Sequence, residues 1–118
     1  MLDELVVRAY RFVVRECLDT VGDLSDFARC LDDFRDAEIQ EIAEHIGMSH
    51  LQVDFARASE QLRVLIDRAV DLSESAMVEC FEECGDVCER EVEEWLLADC
   101  IDDCVRSCLE EALLGELL

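Results

Sequence analysis

Two matched cysteine triplets decide the fold: CFEECGDVC over residues 80–88 and CIDDCVRSC over residues 100–108, which together hold six of the eight cysteines. Each triplet steps by four residues, a spacing that stacks side chains along one face of an α-helix. The triplets are mirror images about residue 94, so a chain that reverses there brings them together as three facing layers. The facing pairs would be Cys80 with Cys108, Cys84 with Cys104, and Cys88 with Cys100. Helix axes about 8–10 Å apart leave such Cα atoms within disulfide range.

One continuous helix is the competing interpretation, because the spacer at residues 89–99 contains neither glycine nor proline. On a straight helix over residues 74–116, the two triplets would face directions about 200° apart and could not meet. The apolar stripe favours a reversal, since it follows one helix face as far as Trp95 and resumes on another at Leu97. We therefore predict an antiparallel, cysteine-lined helical hairpin over residues 73–118.

The chemistry of this seam depends on the oxidation state of its sulfurs, which residue spacing does not determine. As thiolates, the six side chains would bind a soft metal, because sulfur ligands select Cu(I), Zn(II) or iron–sulfur clusters over hard cations. As disulfides, they would staple the hairpin, each bond contributing about 2–4 kcal/mol. We predict a protein that binds or stores a soft metal, with Cu(I) preferred, and keep a disulfide-stapled interaction module without metal as the alternative. The predicted metal ligands are Cys80, Cys84, Cys88, Cys100, Cys104 and Cys108.

Two protein families resemble this cysteine pattern. Cysteines repeated every four residues along helices resemble those of the bacterial copper storage proteins, four-helix bundles that hold Cu(I) through thiolates. That resemblance implies that the six triplet cysteines are ligands and that Met77 supplies a thioether near the mouth of the seam. The twin Cys-x3-Cys segments at residues 84–88 and 100–104 are also similar to the small chaperones of the mitochondrial intermembrane space. In those chaperones two disulfides staple a helical hairpin, so this likeness implies a chaperone-like role.

The composition limits the choice of partner and compartment. The chain has 118 residues and a formal net charge of −21, and all ten of its basic residues are arginine. Such a surface repels nucleic acid and anionic lipid. No apolar run approaches the roughly 20 residues of a membrane span, and the first residues do not read as a signal peptide. We therefore predict a cytoplasmic protein with soft metal ions as ligands and with a protein partner or a second copy as further options. A reducing cytosol favours free thiols.

The remaining residues predict a small all-α bundle of six to seven helices, with an N-terminal helical part at residues 1–72 packed into one compact domain with the hairpin. Residues 71–75 are the expected linker between them. Cys17 and Cys30 flank a predicted turn and either pair or occupy the core as two small residues. Residues 36–58 resemble a helix-turn-helix, but that segment has a single arginine to meet phosphates, so a degenerate helix-turn-helix regulator ranks third.

Catalysis is not predicted. The chain has no nucleophile–base arrangement, phosphate loop or His-Glu metalloprotease motif. Adjacent carboxylates such as Glu82 and Glu83 point in different directions and indicate a solvated helix face. Thiol redox activity is left open, although the cysteine spacing differs from Cys-x-x-Cys.

Overall fold

The chain folds into helices throughout the part that the structure describes. This computed structural model describes residues 4–49 and 53–118, and within them it contains no strand. The five helices are α1 (Glu4–Thr20), α2 (Phe27–Asp33), α3 (Ile39–His45), α4 (Phe55–Glu91) and α5 (Leu97–Leu117). Short 3₁₀ turns at Leu24–Asp26 and Glu94–Leu96 precede α2 and α5. The all-α class is therefore confirmed, whereas the prediction of six to seven helices was too high.

The helix count is lower because α4 runs without interruption through the expected linker at residues 71–75. This segment contains no glycine or proline to stop a helix. Its two serines do not cap a new helix, because their hydroxyls bond back to carbonyls of the preceding turn. The Ser73 hydroxyl donates to the Val70 carbonyl at 2.8 Å, and the Ser75 hydroxyl donates to the Leu72 carbonyl at 3.1 Å. Such back-bonding satisfies the side chain within a continuing helix, so α4 reaches 37 residues.

Two helix ends depend on particular residues. Asp23 caps the 3₁₀ turn before α2, since its carboxylate accepts the backbone N–H of Ser25 at 2.9 Å. Beyond α3, Gly47 adopts the left-handed conformation at φ 75°, which is common for a glycine just past the end of a helix. Residues 50–52, within the segment that resembles a helix-turn-helix, lie outside the described residues. The helix that follows them begins at Phe55 with the Asp54 carboxylate as its cap.

The core lies where α1, α2 and α3 pack against α4 and α5. Its largest fully buried side chains come from all five helices and include Tyr10, Phe27, Ile39, Leu62 and Leu109. A disulfide between Cys17 and Cys30 joins α1 to α2 across a Cα–Cα distance of 5.7 Å. The molecule is elongated, 52 × 23 × 21 Å, because α4 and α5 extend past the short N-terminal helices. Within the described residues, no helix combines the length and apolarity needed to cross a membrane.

Candidate functional site

Three stacked disulfides join the far ends of α4 and α5. The chain reverses at residues 92–96, which contain the centre of the cysteine pattern at residue 94. The two helices therefore run antiparallel and lie side by side. Cys80–Cys108, Cys84–Cys104 and Cys88–Cys100 bridge them at Cα–Cα distances of 5.8, 5.7 and 5.9 Å. Successive bridges are four residues apart on each helix, a rise of about 6 Å per step. The result is a ladder of three sulfur rungs.

The ladder occupies the place that a hydrophobic core would take in an ordinary helical pair. Between residues 78 and 104, the only buried side chains are those of Cys80, Cys84 and Cys88, which are 2%, 1% and 0% exposed. Two isolated helices of this length would be marginal in water, since most helical stability in proteins comes from tertiary packing. Covalent rungs therefore hold this segment together. We call residues 78–104 the arm; Cys108, which pairs with Cys80, lies just beyond it on α5, between the buried Val105 and Leu109.

The arm also carries most of the large apolar side chains that face solvent. Seven large hydrophobic residues among those described are exposed, and five of them lie on the arm. These five are Val78, Phe81, Val87, Trp95 and Leu96, exposed by 36% to 76%. Trp95 at the turn is the most exposed, and its indole N–H donates to the Glu93 carboxylate at 2.6 Å. The arm therefore presents apolar groups without covering them.

Arg106 fixes the base of the arm to the body of the protein. Its guanidinium donates to the backbone carbonyls of Leu18 and Val21, the latter at 2.9 Å, and its Nε lies 2.8 Å from the Asp102 carboxylate. The carbonyls at a helix C-terminus lack intrahelical partners and carry partial negative charge. The last turn of α1 has no basic residue of its own. Arg106 supplies that positive charge from α5 and so aligns the two helices.

Tyr10 forms the second tether between α1 and the hairpin. Its hydroxyl donates to the backbone carbonyl of Leu113 at 2.9 Å, and the whole side chain is buried. Burial raises the pKa of the Tyr10 hydroxyl well above its ordinary value, because the phenolate would lose its hydration. The exposed ion pair between Arg15 and Glu110, 2.7 Å apart, lies along the same helix contact. The arm is thus held at its base by polar contacts and along its length by sulfur.

All six cysteines predicted as metal ligands lie in this ladder, and each is bonded to the cysteine that faces it on the other helix. No described cysteine is free, and within residues 4–49 and 53–118 no group of His, Cys, Asp and Glu is arranged to hold a metal ion. Met77 lies beside Leu24 and Ala28 in a surface cavity against α2, away from the seam. In the disulfide form these residues do not fit Cu(I), because a bonded sulfur is no thiolate ligand. Soft-metal binding stays a prediction for the reduced chain.

Sequence reasoning missed the residues that position the arm. Among them is Arg106, which binds the end of α1. A single arginine within an otherwise acidic helix, spaced four residues from Asp102, was the available signal. Phe12 stacks on His45, with ring centroids 6.0 Å apart, so this histidine packs on α1.

Comparisons with protein-family models, curated proteins and solved structures find no match to this chain.

Proposed function

We propose that this protein is a disulfide-stapled interaction module whose arm binds another protein. The observation that carries the proposal is the arm itself, in which sulfur rungs replace a core while Val78, Phe81, Val87, Trp95 and Leu96 face solvent. A helical pair that needed its apolar residues for its own stability would bury them. Here the rungs supply the stability, so these side chains stay available to a partner.

Rigidity supports the same function. Each rung closes a further loop in the unfolded chain and stabilises the fold by about 2–4 kcal/mol. A surface that is already ordered loses little conformational entropy on binding, which raises affinity without added contacts. The charge of −21 disfavours nucleic acid and anionic membranes as partners. A protein partner fits both the apolar groups and this charge.

Site-specific photo-crosslinking tests the proposal. A photoreactive amino acid would replace Val87 or Phe81 on the arm, or Val64 on the body as a control; all three have similar exposure, at 42%, 42% and 49%. In an extract of cells that express the chain, we expect a discrete adduct from at least one arm position and none from Val64. The absence of any arm adduct, or equal labelling at Val64, would contradict the proposal.

Soft-metal binding by the reduced chain is the second proposal. Its support is the stacking of the six sulfurs along one seam, since reduction of the rungs would leave six thiols facing one another. Thiolates at that spacing favour Cu(I), with Zn(II) or an iron–sulfur cluster as alternatives. Anaerobic titration of the reduced chain with Cu(I) against a competing chelator tests this proposal. Tight binding that is lost when the triplet cysteines are replaced by serine supports it; no binding overturns it.

The two proposals differ in the compartment they need. Disulfides persist in oxidising environments and are rare in a reducing cytosol, where metal-binding thiols are common. A cytoplasmic location, expected from the sequence, therefore belongs with the metal proposal. The interaction module with four disulfides favours an oxidising compartment. Trapping of thiols with an alkylating reagent in intact cells separates the two, because only free thiols react.

A further inference from the structure

A groove runs along the seam between α4 and α5. It consists of two adjoining cavities of about 370 Å³ and 240 Å³ that share Glu83, Cys108 and Glu111. On α4 it extends from Leu72 to Val87. Fifteen residues of helix make this about 22 Å long, enough for four turns of a docked helix. The groove therefore runs beside two of the three rungs, Cys80–Cys108 and Cys84–Cys104, and continues past the base of the arm.

The floor of this groove is apolar and its rim is acidic. The rungs Cys80–Cys108 and Cys84–Cys104 line the groove together with Leu72, Ala76, Val87 and Ala112, and Ser75 and Ser107 are the only uncharged polar side chains that line it. Four glutamates line the rim, two from each helix, and all are exposed: Glu79, Glu83, Glu111 and Glu116. No arginine lines either cavity, and among the described residues none of the four glutamates forms an ion pair. Like charges face one another across an apolar strip.

A neighbouring face of the same hairpin shows what such a surface accepts. There α1 packs against α4 and α5, with Tyr10 bonded to Leu113 and Arg15 paired with Glu110. On α5, Glu111 follows Glu110 by one residue and so points about 100° further round the helix, towards the groove. A helix in the groove would thus pack as α1 does, with apolar residues on the rungs and cations on the rim.

We propose that this groove binds a basic amphipathic helix of a partner protein, an inference that rests on the proposed interaction function. Cationic side chains would relieve the repulsion among the four carboxylates, and the helix's apolar face would cover the apolar strip between them. Charge argues against a second copy as the occupant, because each chain carries −21. Arg8 and Arg15 of such a copy already pair with Glu4 and Glu110.

A synthetic peptide provides the direct test. The probe is an amphipathic helix of about four turns with leucine and alanine on one face and arginine on both flanks, and its control has glutamine in place of arginine. Binding to the full chain would be measured by fluorescence anisotropy at low and at physiological salt. We expect the arginine probe to bind and to weaken as salt rises, and the glutamine probe to bind poorly. Equal binding of both probes, or no binding of the arginine probe, would overturn the proposal.

Paired charge variants locate the site on the groove. The test variant is Glu83→Gln with Glu111→Gln, and the control is Glu82→Gln with Asp103→Asn, which removes the same charge from exposed positions that line neither cavity. Loss of two rim carboxylates should weaken binding about fivefold, whereas the control should change it by less than about twofold. Equal weakening in both variants would mean that the peptide senses only the net charge, against the proposal.

Photo-crosslinking separates failure of this inference from failure of the proposed function. Val87 lines the groove, whereas Phe81 lines neither cavity and lies about 120° away from Val87 around α4. Adducts from Val87 with both the peptide and the cellular partner support the groove. Adducts from Phe81 alone would be consistent with the interaction function but would overturn the groove. No adduct from either Phe81 or Val87 would overturn both the groove and the interaction function. Crosslinks between two copies through Val87 would identify a second copy as the occupant and overturn the basic partner.

Discussion

Removal of the rung nearest the turn should loosen the tip of the arm alone. The variant replaces Cys88 and Cys100 with alanine, which avoids placing a hydroxyl at a buried position. This rung spans 12 residues of sequence, so its loop-closure contribution is about 3 kcal/mol. The two remaining rungs hold the hairpin below the tip, and the tip has no other buried side chain to replace the lost bond. Opening of residues 85–103 should therefore become about a hundredfold more frequent.

Hydrogen exchange measures this opening directly. Amides at residues 86–91 and 98–103 should lose about two orders of magnitude of protection, while those of α1 keep theirs. A matched control removes Cys17–Cys30, whose loop spans 13 residues and so has nearly the same expected entropy. That control should loosen the junction of α1 and α2 without changing the tip. Unchanged protection at the tip of the first variant would show that packing, not sulfur, holds the arm.

Further predictions concern the tethers and two glycines. Arg106→Ala should lower the free energy of unfolding by about 2 kcal/mol in denaturant titrations. Arg106→Lys should lower it by less but should not match the wild type, because one ammonium cannot reach several carbonyls at once. Because burial raises the pKa of Tyr10 in the folded protein, the contribution of this tyrosine to stability is complete below about pH 10 and is lost as pH rises further. Tyr10→Phe should therefore reduce the fall in melting temperature above about pH 10, measured in thermal melts. Gly47→Ala should destabilise the fold by about 1 kcal/mol, because Gly47 has a φ of 75°. Gly85→Ala should stabilise the fold by up to about 1 kcal/mol, because Gly85 lies in mid-helix and the added Cβ would meet open space. Equal effects of the two alanines would contradict the assigned backbone conformations.

The sequence was most informative where spacing alone fixes geometry. The step of four and the mirror symmetry about residue 94 allow one set of facing pairs, and the structure has that set. The change of apolar face between Trp95 and Leu97 marks the turn, which the structure places at residues 92–96. Both features depend on helical periodicity, which is local in sequence. The oxidation state of the sulfurs does not depend on helical periodicity. Residue spacing therefore could not decide between thiolates and disulfides.

The helix boundaries and the tethers were harder to predict. Ser73 and Ser75 can cap a helix or bond back within one, and the choice depends on packing of the whole of α4. Arg106 reaches carbonyls 85 and 88 residues away in sequence, a contact that no local pattern encodes. The same holds for Tyr10 and Leu113. Long-range polar contacts of this kind follow from the assembled fold. The sequence marks Arg106 as the one arginine of α5 but does not name the carbonyls that it binds.

Disulfide mapping of protein purified without reductant and blocked with an alkylating reagent is the most direct test of the sulfur ladder. Cleavage after arginine, after glutamate and before aspartate places each triplet cysteine on its own peptide, so every partner can be assigned by mass spectrometry. We expect no alkylated cysteine and four linked pairs: Cys17–Cys30, Cys80–Cys108, Cys84–Cys104 and Cys88–Cys100. Six alkylated triplet cysteines with bound copper, zinc or iron in the native sample, or bonds within one triplet, would contradict this expectation.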